Sequence, residues 1–131
     1  MSSFRTLRDV PGRQAPNRTI YELFSANSGG AHGVTLRIVD LVPVAEQVAR
    51  QPHAHPHFEE TIYVLAGHGQ FWCEGVFTPI TAGDAILVNA GSMHATFNLA
   101  DQPLRLACFF PVAAGVDDIV LADYVVTTQK E

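Results

Sequence analysis

A chain of 131 residues has the length of one ordinary domain, so residues 1–131 are expected to form a single unit with a sizeable core. Apolar residues make up 47% and charged residues 16%, which argues against a disordered chain. The net charge of −5, with no basic cluster, argues against a nucleic-acid surface or a basic membrane-surface helix.

The first segment, "MSSFRTLRDVPGRQ", is too polar for the apolar middle of a signal peptide. The longest apolar run, residues 106–116, is interrupted by Pro111 and Gly115 and is too short to span a bilayer. The expected location is therefore the cytoplasm. "RTIYELFSA" and "VTLRIVDLV" are rich in β-branched and aromatic residues and flank the turn cluster "NSGGAHG", which predicts two strands. "VPVAEQVARQ" is the best helical window, and its prolines limit it to one turn. "ETIYVLAG" and "GQFWCEG" predict a strand pair divided at Gly67-His68-Gly69. "VFTPITAGDAILVNAG" predicts two more strands around a Gly turn. "HATFNLA" and "LRLACFFPV" flank the loop "DQP", and "DIVLADYVVTT" predicts a last strand. Many short strands with turns every ten residues or so predict an antiparallel sandwich or barrel. Cys73 and Cys108 each lie in an apolar run, so buried free thiols are expected, and a structural zinc site is not.

One stretch is not explained by strand formation. "QPHAHPHFEE" carries three of the chain's six histidines at alternate positions. Proline biases the preceding residue toward extended geometry, and alternate residues of an extended chain share a face. His53, His55 and His57 are thus predicted to point one way. From these residues alone two readings stand: a pair of imidazoles that meets one metal ion, or a solvated edge.

The wider pattern adds to this. From His53 it reads H-x-H, four residues, Glu60, six residues, Gly67. Later it reads Gly83, five residues, Asn89, x, Gly91, two residues, His94, three residues, Asn98. Both halves resemble the paired motifs of the cupin superfamily. Two positions depart from that pattern: Gln47 stands where the first motif has Gly, and Asn89 where the second has Pro. Both are turn positions. The resemblance implies an all-β fold, an antiparallel double-stranded β-helix or jelly-roll barrel. It also implies that His53, His55, Glu60 and His94 hold one divalent metal ion (Fe, Mn, Ni or Zn). Glu59 competes with Glu60, but only Glu60 leaves six residues before Gly67. His57 is expected at the pocket rim, His32 and His68 in solvent, and Asn98 in hydrogen bonds near His94. Gly67, Gly83 and Gly91 are expected as turn glycines.

Parity then places Ile62, Val64, Thr96 and Asn98 inside with the cluster, around a largely apolar pocket for a small molecule. Phe58, Phe71, Trp72, Phe97, Phe109 and Phe110 are candidates for its walls, and Arg37 and Arg105 are candidates for holding a substrate carboxylate. His57, Tyr63 and Glu59 are the candidate acid–base groups. Three functions fit: a metal-dependent oxidoreductase of dioxygenase type, a metal-dependent isomerase, lyase or decarboxylase, or a binding module without turnover. A homodimer is expected, as in small proteins of this family.

Overall fold

The computed structural model describes residues 2–44, 47–115 and 118–129, with Gln47 and Gln129 described in their backbone only. A 3-10 turn, Leu7–Asp9, is followed by thirteen strands: β1 (Arg13–Ala15), β2 (Arg18–Phe24), β3 (Thr35–Leu41), β4 (Gln47–Arg50), β5 (His53–Ala54), β6 (Glu60–Ala66), β7 (His68–Cys73), β8 (Val76–Thr81), β9 (Ala85–Val88), β10 (His94–Phe97), β11 (Leu104–Phe110), β12 (Val120–Leu121) and β13 (Val126–Gln129). No α-helix occurs among the described residues. All pairings are antiparallel. The strands form a six-stranded sheet in the order β1-β2-β3-β11-β6-β9, a five-stranded sheet β12-β5-β10-β7-β8, and a ribbon β13-β4.

Strict alternation decides what faces inward. In β6, Glu60, Ile62 and Val64 are buried while Thr61, Tyr63 and Leu65 are exposed. Its neighbour β11 buries Leu104, Leu106, Cys108 and Phe110 in the same manner. Register carries the inward face across the large sheet. Ile20 opposes Val39, Val39 opposes Leu106, and Leu106 opposes Val64. These residues, with Leu41, Ile62, Phe71, Ile80 and Val88, make the main core between the two sheets.

The second core lies on the other side of the five-stranded sheet. All four residues of β10 are buried, although a strand covered on one face would bury only two. Trp72, Ala95, Phe97 and Leu99 point outward from the barrel and are covered by Val44, Val48 and Val126. The β13-β4 ribbon is thus a lid on the outer face of this sheet, and it explains why "HATF" lacks an exposed side.

The ribbon corrects two expectations. The segment expected to carry a helical turn contains strand β4, paired with β13 from Arg50↔Val126 to Gln47↔Gln129; Ala45 and Glu46 of that window lie outside the described residues. Its valine faces the second core, which outweighs a weak helical preference. The single strand expected over "DIVLADYVVTT" is two, because Val120–Leu121 pairs with β5 and Val126–Gln129 with β4. Strand β1 was not expected from the sequence; the remaining strands fall where the sequence predicts them. Gly67 shows why the loop glycines are needed. Its φ is +87°, and an added Cβ would lie 2.4 Å from the Pro103 carbonyl oxygen.

Candidate metal centre

The four residues that the paired motifs single out converge. His53 on β5 is directly opposite His94 on β10, so the two imidazoles share a face with ring centroids 4.4 Å apart. His55 follows β5, and its carbonyl accepts a hydrogen bond from Gly91 N–H at 2.8 Å, which ties the first motif to the second. Gly91 makes that approach with φ +82°. Glu60 begins β6 on the opposite sheet and points between the sheets. One donor atom from each of His53, His55, Glu60 and His94 lies within 4.8 Å of the others.

Hydrogen bonds fix the histidine tautomers. His94 Nδ1 is 3.0 Å from the Ser92 carbonyl oxygen, and His55 Nδ1 is 3.0 Å from that of Asp118. A carbonyl only accepts, so each Nδ1 carries the proton and donates it. In a neutral ring the lone pair is then on Nε2. His94 Nε2 is 3.1 Å and His55 Nε2 3.4 Å from the same oxygen, Glu60 Oε1. Two lone pairs aimed at a carboxylate oxygen repel unless a cation lies among them, either protons on the rings or a metal ion. Donor separations of this size match the edges of a coordination polyhedron with bonds of about 2.1 Å. Three imidazoles and one carboxylate, with no thiolate, suit a borderline divalent ion. The cluster can therefore hold a metal ion, and backbone acceptors already hold two rings in the tautomer such an ion needs.

Electrostatics point the same way. Burial, aided by His94 and His55 nearby, lowers the His53 pKa to about 3, so this ring is neutral at physiological pH. Burial alone would raise the Glu60 pKa, but in the metal-free protein, where protons on the rings stand in for the ion, hydrogen bonds from His55 and His94 Nε2–H hold it at about 2. Burial, together with Glu60, pushes the Cys108 thiol well above its ordinary value, so it stays protonated beside that carboxylate. Phe110 and Phe58 pack on His55, with centroids at 4.6 and 5.3 Å, and shield it from water.

The cluster opens on a cavity of about 190 Å³. Ile62 and Thr96 line it, as parity predicts. His57 does not: it is exposed, because β5 ends at Ala54 and the chain turns before the alternation can reach it. Glu59 and Tyr63 are also exposed, so none of the three candidate acid–base groups is in the cavity. His32 and His68 are exposed, as expected. Asn98 is buried but does not serve His94. Its amide donates to the Leu41 and Gln102 carbonyls at 2.9 and 2.8 Å, and its oxygen accepts from Ala100 N–H, which closes the turn before β11. Among the six aromatic candidates Phe110 lines the cavity; Trp72 and Phe97 belong to the outer core, and Phe109 is exposed.

The pocket keeps the apolar walls that were expected but adds a cationic component that was not. Arg13, Arg18, Arg37 and Arg50 all line it. Arg37 is ion-paired to Glu22 at 2.8 Å and lies over the Phe110 ring, whereas Arg105 faces outward and pairs with Asp40 at 2.7 Å. Arg13, Arg18 and Arg50 were not singled out from the sequence. A usable signal was there for one of them: Arg18 is two residues before the inward Ile20, and on a strand that spacing keeps the same face.

Comparison with known proteins agrees with the fold. The model of the cupin domain family matches residues 40–110. An uncharacterized protein of Aquifex aeolicus is 31% identical over 68 residues, which are 52% of this chain and 56% of that relative; the matched part is thus about half its length. Among solved structures, an oxalate decarboxylase of Lactobacillus farciminis superposes with a TM-score of 0.73 at 19% identity, over 87% of this chain and 34% of that one. A polyketide cyclase of Streptomyces resistomycificus gives 0.71 at 20% identity over 90% and 89%. A Klebsiella pneumoniae protein with a double-stranded β-helix domain gives 0.69 at 19% over 95% and 100%. At these identities the structures show a shared fold alone.

The buried groups predict an acid-sensitive metal-free protein. His53 is harder to protonate folded than unfolded, so its contribution is complete above about pH 6.5 and is lost as pH falls toward 3. Glu60 is easier to ionise folded than unfolded, and its contribution is lost from about pH 4.5 down to 2. Urea unfolding of metal-free protein at stepped pH should show stability falling through these windows, and His53→Gln should flatten the upper one. A wild-type curve that is level from neutral pH to about pH 4 contradicts this assignment.

Proposed function

The chain belongs to the cupin domain family, and we propose that residues 1–131 form one cytoplasmic domain that binds a single divalent ion through His53, His55, Glu60 and His94 and acts on a small organic molecule. The observation that carries this reading is the pair of Nε2 lone pairs converging on Glu60 Oε1 with both Nδ1 atoms committed to backbone carbonyls.

Among the reaction classes we favour redox chemistry of dioxygenase type. When bound, an iron or manganese ion would supply electrons toward dioxygen, whereas zinc would supply Lewis acidity only. The chain's own residues would hold the ion, keep His53 neutral, and exclude water with Phe110, Ile62 and Leu106. Apart from Glu60 and the histidines, which the ion would occupy, and Cys108, whose thiol burial keeps protonated, the lining offers no carboxylate, lysine or tyrosine among the described residues. An isomerase or lyase that moves protons needs such a group as its base, which makes that reading, and that of a binding module, the alternatives.

Metal content tests the ligand set. His53→Ala and His94→Ala should each lose most bound metal, Glu60→Ala should bind it more weakly, and His57→Ala should keep it, as read by elemental analysis of protein purified without a histidine tag. Stoichiometric metal in the His53→Ala/His94→Ala double variant refutes the assignment.

Turnover separates the reaction classes. Fe(II)-loaded protein should consume dioxygen with some member of a panel of thiol, phenolic and enolisable compounds, and Zn(II)-loaded protein should not. Equal conversion by the zinc form under nitrogen would move the reading to Lewis-acid catalysis.

We also propose a homodimer. Along the outer face of the large sheet, Phe109 opposes Thr61 and Thr61 opposes Leu87, while Ala107 opposes Tyr63 and Tyr63 opposes Ala85. Phe109, Tyr63, Leu65 and Leu87 are at least 40% exposed there, and β9 is a sheet edge. A contiguous apolar face of this kind favours self-association. Light scattering should give a dimer mass, shifted to monomer by Leu87→Glu with Phe109→Glu. A monomeric wild type at micromolar concentration rules it out.

A further inference from the structure

Inside the cavity, cationic side chains outnumber the anionic ones that face them. Four arginines line it, and Glu60 is the one lining carboxylate among the described residues. Glu60 is committed to His55 and His94. Glu22, just behind the wall, pairs with Arg37 at 2.8 Å and with the more exposed Arg13 at 3.6 Å. Arg18 and Arg50 are left over. Arg50 donates to the Thr96 carbonyl, which satisfies a hydrogen bond but does not balance its charge. The Arg18 side chain forms no hydrogen bond or ion pair among the described residues, although it is only partly exposed.

These two arginines also oppose each other. Burial lowers the pKa of Arg18, and Arg13 lowers it further. Burial lowers that of Arg50 to about 10, and Arg18 adds to the effect. A chain of net charge −5 has thus gathered mutually repelling, half-desolvated cations at one end of a single cavity. Such a cost without an internal partner is expected where an external partner arrives.

We propose that Arg18 and Arg50 receive the carboxylate of a small organic acid whose remaining functional group faces the His53, His55, Glu60 and His94 cluster. A guanidinium matches a carboxylate in a planar, two-bond geometry, and the incoming charge relieves the repulsion between the two arginines. The walls between them and the cluster, Ile20, Val39 and Leu106, are apolar. They suit a carbon body, which inorganic phosphate lacks. A volume of about 190 Å³ sets the scale of the ligand as a small molecule. The proposal rests on the reading of this cavity as the substrate chamber and names its substrate class; it does not need the ion to be of any one kind.

The test is calorimetric titration of the full chain, metal-free and zinc-loaded, with malonate, succinate and benzoate. Controls are the corresponding amides and inorganic phosphate. At least one carboxylate should bind the wild type in both forms. Arg18→Gln should weaken it about tenfold or more, and Arg18→Lys should restore part of the affinity. Arg18→Gln should also melt above the wild type without ligand, because it removes an unbalanced charge, and should lose the carboxylate-induced rise in Tm. Since Arg50 also holds the Thr96 carbonyl, Arg50→Gln should lose affinity and Tm together. The proposal is overturned if none of the three carboxylates binds the wild type, if an amide or phosphate binds as well, or if Arg18→Gln keeps full affinity. Metal content measured on the same samples keeps the two readings apart. Arg18-dependent carboxylate binding by a protein that takes up no metal would sink the metal centre alone, and the reverse would sink this proposal alone.

Discussion

Glu60 sits at the point where the two sheets of the barrel meet chemically. It is a buried carboxylate at the start of a strand whose other inward residues, Ile62 and Val64, are core. Burial by itself would protonate it. It stays ionised because His55 and His94 approach the same oxygen from the five-stranded sheet. Their approach depends in turn on acceptors supplied by Asp118 and Ser92, and on the Gly91 contact that joins the two motif loops. An apolar barrel can keep this much polarity inside only if every member is compensated, and no buried side-chain polar atom among the described residues lacks a partner. The fold and the site are therefore one problem: strand register sets the donors, and the donors' mutual compensation keeps the register.

The two faces of the five-stranded sheet divide the labour. The inner face carries His53, His94 and Thr96 toward the cavity. The outer face carries Trp72, Ala95 and Phe97 under the β13-β4 ribbon. Covering a sheet on both sides makes its central strand stiff, because both sets of side chains are packed. His94 is on that strand, flanked by β5 and β7. The ribbon reaches the site in a second way, since Arg50 ends β4 and donates to the Thr96 carbonyl. A segment that looks peripheral in the topology thus holds the backbone two residues from His94.

Much of this was legible in the sequence, and the reasons differ by element. Strands β2, β3, β6, β7, β8, β9 and β11 announce themselves through β-branched and aromatic residues between turn residues, and in β6 and β11 one-sided burial also leaves a clear period of two. Strands β4 and β13 were hidden, since they face a second core that no local period reveals. His57 misled because alternation was carried past the end of a two-residue strand. The cluster of His53, His55, Glu60 and His94 was legible through spacing across two separated segments, which only the tertiary pairing of β5 with β10 brings together. Arg18 and Arg50 were not singled out because a single arginine in a strand is ordinarily on the outer face. Their inward direction is a matter of register against Leu41 and of the ribbon's docking, which one strand's composition does not encode.

These arginines alter how the whole site is understood. Arg37 and Glu22 neutralise each other on adjacent strands, and Phe110 stacks beneath the guanidinium, so that pair acts as wall. Arg18 and Arg50 are the part that no described group balances. Adding a divalent ion to the cluster, as in the reading proposed here, would increase the positive charge of the cavity further. The chain as a whole is acidic, so this is a local inversion of its field. Low-dielectric walls concentrate such a field toward the opening, which raises the encounter rate of anions and rejects cations. Specificity follows from the same imbalance. A neutral isostere would leave the charges of Arg18 and Arg50 unbalanced, and partly buried charges left without a counter-charge discriminate more strongly than any fit of apolar walls.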